Sequence, residues 1–178
     1  MQMTAADDLP QLLPRLRPKL WAFALRLCSD RHDAEDLLQR TCLRALERPH
    51  QLRPNTTPLS WMFSIMHTTW INELRARKIR GRCRVEWNDV LLDTVADPVT
   101  PTPEQNMITG QIIEAVGRLP EAQRIVMILI AFEGLSYSDA AATLGVPIGT
   151  VMSRLSRARQ TLASTPFSVG SLRTMVGK

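Results

Sequence analysis

Apolar residues recur at intervals of three and four through most of this chain, the spacing that places them on one face of a helix. Between residues 9 and 27 the stripe is Leu12, Leu13, Leu16, Leu20, Phe23, Ala24 and Leu27. Pro10, Pro14 and Pro18 fall within it. Proline is at home only in the first turn of a helix, so the pattern predicts a continuous helix from about Arg17 or Pro18. Ser29 and Asp30 break the stripe. Asp33 is then placed to cap a second helix over residues 34–46, with Asp36 early, where the helix dipole favours an acid. Its apolar side is Leu37, Leu38, Thr41, Cys42, Ala45 and Leu46. Residues 49–58, rich in Pro, Asn and Thr, predict a loop. A third helix, residues 59–80, begins Leu-Ser-Trp-Met-Phe and ends in a basic run. Trp61 and Phe63 are expected in its core.

No period holds from residue 81 to 105, where Pro98, Pro101 and Pro103 punctuate an acidic stretch that reads as a linker. Helical spacing resumes over residues 104–118, 120–132, 137–144 and 148–163. Ser136 can cap the third of these, Gly145 supplies the left-handed stop, and Val146 and Pro147 complete a tight turn into the fourth. Two short helices joined by a Gly-containing turn form a helix-turn-helix. On the last helix Ile148, Val151, Met152, Leu155, Ala158 and Leu162 are expected to face inward. Thr150, Ser153, Arg154, Arg157 and Arg159 are expected outside. The chain contains no Asp or Glu after Asp139. A helix with a cationic outer face and no compensating acid suits an anionic partner, and DNA docking is the expectation. The fold class predicted is all-α, as two small helical domains joined by a flexible linker.

Composition fits this picture: 44% of the 178 residues are hydrophobic, enough for a core, and only 8 are Gly. Charge adds a pattern. Residues 1–82 hold fourteen Lys and Arg against eight Asp and Glu, a net +6. Residues 83–106 hold one against five, a net −4, and residues 107–178 seven against four, a net +3. Two basic bodies flank an acidic strip, which suits a polyanionic partner. The N-terminal residues lack the pattern of a signal peptide, and the longest apolar run, residues 125–132, is far too short to span a membrane. A cytoplasmic protein is expected, in which Cys28, Cys42 and Cys83 stay as thiols; their spacing is not that of a metal site.

Two blocks of sequence resemble one family. Leu119-Pro-Glu-Ala-Gln-Arg, Gly134-Leu-Ser-Tyr-Ser-Asp-Ala-Ala and Leu144-Gly-Val-Pro-Ile-Gly-Thr-Val-Met-Ser-Arg-Leu-Ser-Arg-Ala-Arg resemble region 4 of extracytoplasmic-function (ECF) sigma factors. Asp33-Ala-Glu-Asp-Leu-Leu-Gln, Leu43-Arg-Ala, Trp61-Met-Phe-Ser-Ile and Ile71-Asn-Glu-Leu-Arg-Ala-Arg resemble region 2. The resemblance implies a specificity subunit of RNA polymerase, with a region 2 domain at residues 8–82, a linker at 83–106, a region 4 domain at 107–164 and a tail at 165–178. It implies that Asp33, Glu35, Asp36, Leu37, Gln39 and Arg40 meet the polymerase β′ clamp helices. It implies that the 49–58 loop and the next helix read the minus-ten promoter element by flipping a base from the non-template strand. Asn55, Thr56, Thr57, Ser60, His67, Asn72, Arg75 and Lys78 are the candidate contacts, with Arg77 and Arg80 in the same basic run. Each loop residue is equally suited to turn chemistry. Thr150, Ser153, Arg154, Arg157 and Arg159 are the candidates for the minus-thirty-five element, on a domain that also touches the polymerase β flap. An anti-sigma factor and a stress or signal response are further implications. Three places depart from the family's usual residues. Arg40 and Cys42 stand for Glu and Phe, His67-Thr68-Thr69 for Ala-Arg-Asn, and Met152 for Lys.

Other classes explain less. A helix-turn-helix repressor or activator leaves the first 82 residues without a role. A decoy that titrates an anti-sigma factor has no need of the basic last helix. An enzyme needs a carboxylate pair, a phosphate loop or a nucleophile setting, and none is visible, so no catalytic residue, cofactor or metal is expected. No membrane insertion is expected either.

Overall fold

The computed structural model describes residues 8–28, 30–80 and 103–164, the side chains of 103–109 excepted. Its regular structure is helical, with no strand among these residues. The chain divides into two compact units, residues 1–86 and 87–178. The linker expected at 83–106 and the tail at 165–178 lie outside the described residues, except that 103–106 open a helix.

The first unit packs three helices, α1 (Leu9–Cys28), α2 (Arg31–Glu47) and α3 (Pro58–Ile79), with a short 3₁₀ turn at Pro49–Gln51 between the last two. Leu20, Phe23, Ala24 and Leu27 of α1 meet Ala34, Leu37, Leu38 and Ala45 of α2 and Trp61, Met62, Phe63, Met66 and Trp70 of α3 in one buried core. Phe23 and Phe63 stack with ring centroids 4.3 Å apart. Thr41 is buried among them and satisfies its hydroxyl by donating to the Leu37 carbonyl at 2.7 Å.

Three expectations are corrected here. Helix α1 starts at Leu9, not near Arg17, and runs through Pro14 and Pro18. Pro10, Pro14 and Pro18 all stand on the exposed side, at intervals of four. The carbonyls they free therefore face water, and burial of Leu9 against the unit anchors the first turn. The cap of α2 is Asp30, not Asp33: its Oδ1 accepts from the Asp33 backbone N–H at 2.9 Å. This leaves the Asp33 carboxylate free for another partner. Leu46, expected on the apolar side of α2, is 44% exposed and Leu43 is 60% exposed.

The second unit contains α4 (Pro103–Gly117), α5 (Glu121–Met127), α6 (Tyr137–Leu144) and α7 (Ile148–Ala163). Helix α5 widens into a π turn, Ile128–Phe132, where the Glu133 N–H reaches the Ile128 carbonyl at 3.1 Å. The core is Val116, Leu119, Ile125, Val126, Leu129, Ala140, Val151, Leu155, Ala158 and Leu162 with their buried neighbours. Ser136 caps α6, accepting from the Asp139 N–H at 3.1 Å and donating to the Asp139 carboxylate at 2.6 Å. Gly145 ends α6 at φ 64°. The Val146 N–H then reaches the Ala141 carbonyl and the Gly145 N–H the Ala142 carbonyl, the paired bonds of a Schellman stop. The turn into α7 therefore has the cap, stop and proline that the sequence predicted.

At the α4–α5 corner Arg124 is buried, donating to the Gly117 carbonyl at 3.4 Å and to Glu121. Burial pushes the Glu121 carboxyl above its ordinary range against the pull of Arg124.

Candidate nucleic-acid interface

Helix α7 carries its side chains in three bands. Val151, Leu155, Ala158 and Leu162 form the buried ridge. Opposite it stand Gly149, Ser153, Ser156, Arg157 and Gln160, all exposed. Thr150 and Arg154, half-buried, lie on one flank, and Ile148, Met152 and Arg159, exposed, on the other. The five residues expected outside, Thr150, Ser153, Arg154, Arg157 and Arg159, are thus brought to the open side of one helix. Ser153 donates its hydroxyl to the Thr150 carbonyl at 3.1 Å, which leaves its lone pairs outward. Arg154 and Arg157 have no ion-pair partner among the described residues, and α7 contains no acid to supply one.

Ile148 and Met152 were expected inside and are not: they are 49% and 52% exposed. Four residues fill the ridge, and apolar residues one step around the helix are left outside. Helical periodicity alone does not give the width of the ridge, which is set by how α5 and α6 pack on it.

The first unit treats its charges differently. Arg77, read from the sequence as part of a basic run, points to the α2 side and not outward. Its guanidinium grips the Asp33 carboxylate with two bonds of 2.6 and 2.5 Å. Its Nε donates to Glu73 at 2.9 Å, and it lies over the Trp70 ring, 5.3 Å from the centroid. Arg80 also reaches Glu73, at 3.1 Å, and Arg40 bridges Asp36 at 2.8 Å. The hydrogen bond from Arg77 is the main reason that the Glu73 carboxyl sits below its ordinary range. Two of the four cations between Arg75 and Arg80 are therefore consumed by acids of the same unit. Arg75 and Lys78 have no such partner among the described residues and are exposed. Thr68, Asn72 and Arg75 line one open stripe of α3, with Lys78 beside it and His67 half-buried on that flank.

The loop candidates divide as well. Thr57 caps α3: its Oγ1 accepts from the Ser60 N–H at 3.2 Å and donates to the Ser60 Oγ at 2.9 Å. Both hydroxyls are engaged in turn chemistry. Asn55 is exposed, and Thr56 closes a turn onto the Arg53 carbonyl at 3.0 Å. On α2, Glu35, Asp36, Gln39 and Arg40 share one exposed face, which Leu43 and Leu46 continue. Leu37 does not belong to it, being 3% exposed within the core, and Asp33 turns toward Arg77. Leu43 and Leu46 are the residues of this face that sequence reasoning misses: Leu46, at helical period, reads as core, and Leu43 stands out in neither direction.

Residues 12–79 match the family described as Sigma-70 region 2, and residues 109–162 match Sigma-70, region 4. The chain is 33% identical to the ECF RNA polymerase sigma factor EcfG of Rhodopseudomonas palustris over 167 residues, covering 93% of this chain and 86% of that one. It belongs to the ECF RNA polymerase sigma factor family. It is also 34% identical to the ECF sigma factor SigE of Mycolicibacterium smegmatis over 156 residues, 85% of this chain and 59% of that protein. Among solved structures it is similar to the sigma factor RpoE of Bartonella quintana, crystallised with the anti-sigma factor NepR. That likeness has a TM-score of 0.71 at 31% identity, covering 87% of this chain and 94% of that one. ECF sigma factors are not an enzyme family; they join core RNA polymerase and direct it to promoters. No helix among the described residues is long and apolar enough to cross a membrane.

Proposed function

We propose that this sigma factor holds its promoter at two places and does no chemistry itself. Helix α7 enters the major groove of the minus-thirty-five element, with Ser153, Arg154 and Arg157 toward the DNA, Thr150 at one margin and Arg159 at the other. The single observation that carries this reading is the open cationic face of α7, two of whose arginines lack any acid partner among the described residues. The stripe Asn72–Arg75 with Lys78 and His67, together with the Asn55–Thr56 turn, meets the single strand of the minus-ten element. Thr57 and Ser60 shape that turn first and contact the strand through whatever hydrogen-bonding capacity the cap leaves.

The exposed face of α2, Glu35, Asp36, Gln39 and Arg40, docks on the polymerase β′ clamp helices, with Leu43 and Leu46 as its apolar part. Leu37 and Asp33 support that face from beneath rather than touching the partner. The second unit also contacts the β flap. The protein works in the cytoplasm, where its thiols stay reduced, and an anti-sigma factor holds it until a stress or signal releases it. A similar sigma factor crystallised with an anti-sigma factor supports this last element.

Run-off transcription with purified core polymerase and a promoter library tests the reading. The expected result is initiation at a defined subset of promoters that depends on the added chain. Initiation no different from core polymerase alone overturns it. Specific binding to DNA without core polymerase favours a free-standing repressor or activator instead.

A further inference from the structure

The apolar pair on α7 has no role in the cationic docking just described, and the sequence pattern alone hid it. Ile148 and Met152 are one helical turn apart and half exposed, at 49% and 52%. They occupy the first turns of α7, the part of a recognition helix that reaches base edges. The way in is open: Gly149 beside them is exposed, and a Cβ there meets nothing within 4 Å. Apart from Gly149 and Ala163, the rest of the exposed surface of α7 consists of hydroxyls, Gln160 and arginines, with no acid on the helix. That charge selects a polyanion, not an apolar protein surface, as what covers this side of the helix. In the major groove the edges of the bases are polar except at one group, the C5-methyl of thymine. An apolar pair in that position is desolvated at a gain only against such methyls.

We propose that Ile148 and Met152 form an apolar reading edge that packs on thymine methyl groups in the minus-thirty-five element. The inference rests on the docking of α7 in the major groove. A thioether at position 152 brings no charge to seek a phosphate, so its contribution is discrimination at one or two base pairs and not general affinity for DNA. Burial of one methyl corresponds to a change of about three- to fivefold in affinity.

The experiment uses the holoenzyme on a promoter chosen by run-off transcription. Each thymine of the minus-thirty-five element, on either strand, is replaced singly by deoxyuridine, which removes the methyl and nothing else. Binding is measured by competition. At least one replacement is expected to weaken binding by about three- to fivefold. That loss is expected to disappear in Ile148→Ala/Met152→Ala. In Met152→Lys it shrinks, while the slope of log affinity against log salt steepens by about 0.9. These variants change exposed residues and leave the buried ridge intact. An element without thymine, no response to any replacement, or an equal response in the double variant overturns the proposal. A double variant that fails only to bind another protein also overturns it. Arg154→Ala/Arg157→Ala separates the two levels. If it weakens promoter binding while deoxyuridine has no effect, α7 docks but does not read methyls. If it too has no effect, the docking itself is wrong.

Discussion

The arginines of α3 and those of α7 look alike in sequence and are used in opposite ways. Arg77 and Arg80 stand at the end of a helix with one acid, Glu73, and Arg154 and Arg157 within a helix that has none. Yet Arg77 is gripped by Asp33 and Glu73 and covered by Trp70, whereas Arg154 and Arg157 meet no acid among the described residues. The first unit uses Arg77 to fasten α3 to α2. In the second unit Arg118 and Arg124 pair with Glu114 and Glu121, while Arg154 and Arg157 of α7 stay open. The difference shows that basic residues mark a nucleic-acid surface only after the internal acids have been assigned. In the first unit that assignment leaves Arg75 and Lys78; on α7 it leaves Arg154 and Arg157.

The comparison is broken most readily at α7. Arg154→Ala/Arg157→Ala is expected to lower promoter occupancy of the holoenzyme about 10- to 100-fold, as befits removal of one or two good groove interactions, with core polymerase affinity unchanged. Unchanged occupancy, read by footprinting, means that α7 faces elsewhere. Next in size is Arg77→Ala, expected to destabilise the first unit by about 1–3 kcal/mol because it strands the partly buried Asp33 carboxylate and takes one partner from Glu73. Chemical denaturation followed through the tryptophans, three of which (Trp21, Trp61 and Trp70) lie in the first unit, measures it. A change within about 0.5 kcal/mol makes the Asp33–Arg77 pair incidental. Asp30→Ala removes the α2 cap and is expected to cost about 1 kcal/mol in the same assay, whereas Asp33→Asn leaves the cap bonded through the backbone and acts only through Arg77.

Acid and base separate the units in a further, smaller way. Glu73 is held below its ordinary pKa by Arg77, so its contribution is present above the unfolded carboxylate pKa and lost as pH falls through the lower folded value. Glu121 is raised by burial, so its contribution is full below the unfolded pKa and lost as pH rises through the higher folded value. Glu73→Gln is expected to flatten the acid limb of the first unit's stability profile, and Glu121→Gln to stabilise the second unit toward neutral pH. Hydrogen exchange of each unit against pH checks both directions. Parallel responses contradict the assignment.

The helix-turn-helix was legible because its signals are local. Ser136, Gly145 and Pro147 act on backbone within a few residues, and each does what its chemistry requires. The start of α1 was not legible, because the cost of Pro14 and Pro18 is local but its relief is tertiary, through burial of Leu9 and exposure of every proline. Asp30 and Asp33 are equally good caps on paper, and only the Arg77 partner, 44 residues on, decides which acid is released. The apolar residues on the exposed face of α2 and at the start of α7 escape the sequence for one reason. Period shows where a ridge runs but not how many residues its neighbours cover, so Leu46, Ile148 and Met152 read as core and Leu43 stands out in neither direction. The π turn in α5 leaves no signal in residue type at all.

The salt dependence of promoter binding by the holoenzyme tests most directly which arginines are open. Log affinity is plotted against log salt for the parent chain, Arg154→Gln/Arg157→Gln and Arg77→Gln, each below its melting temperature. The slope is expected to shrink by about 0.9 for each phosphate that the α7 variant no longer neutralises, up to about 1.8, and to stay unchanged in Arg77→Gln. An unchanged slope in the α7 variant, or a slope in Arg77→Gln reduced as much as in the α7 variant, contradicts the division of the arginines into those that fasten the fold and those that grip DNA.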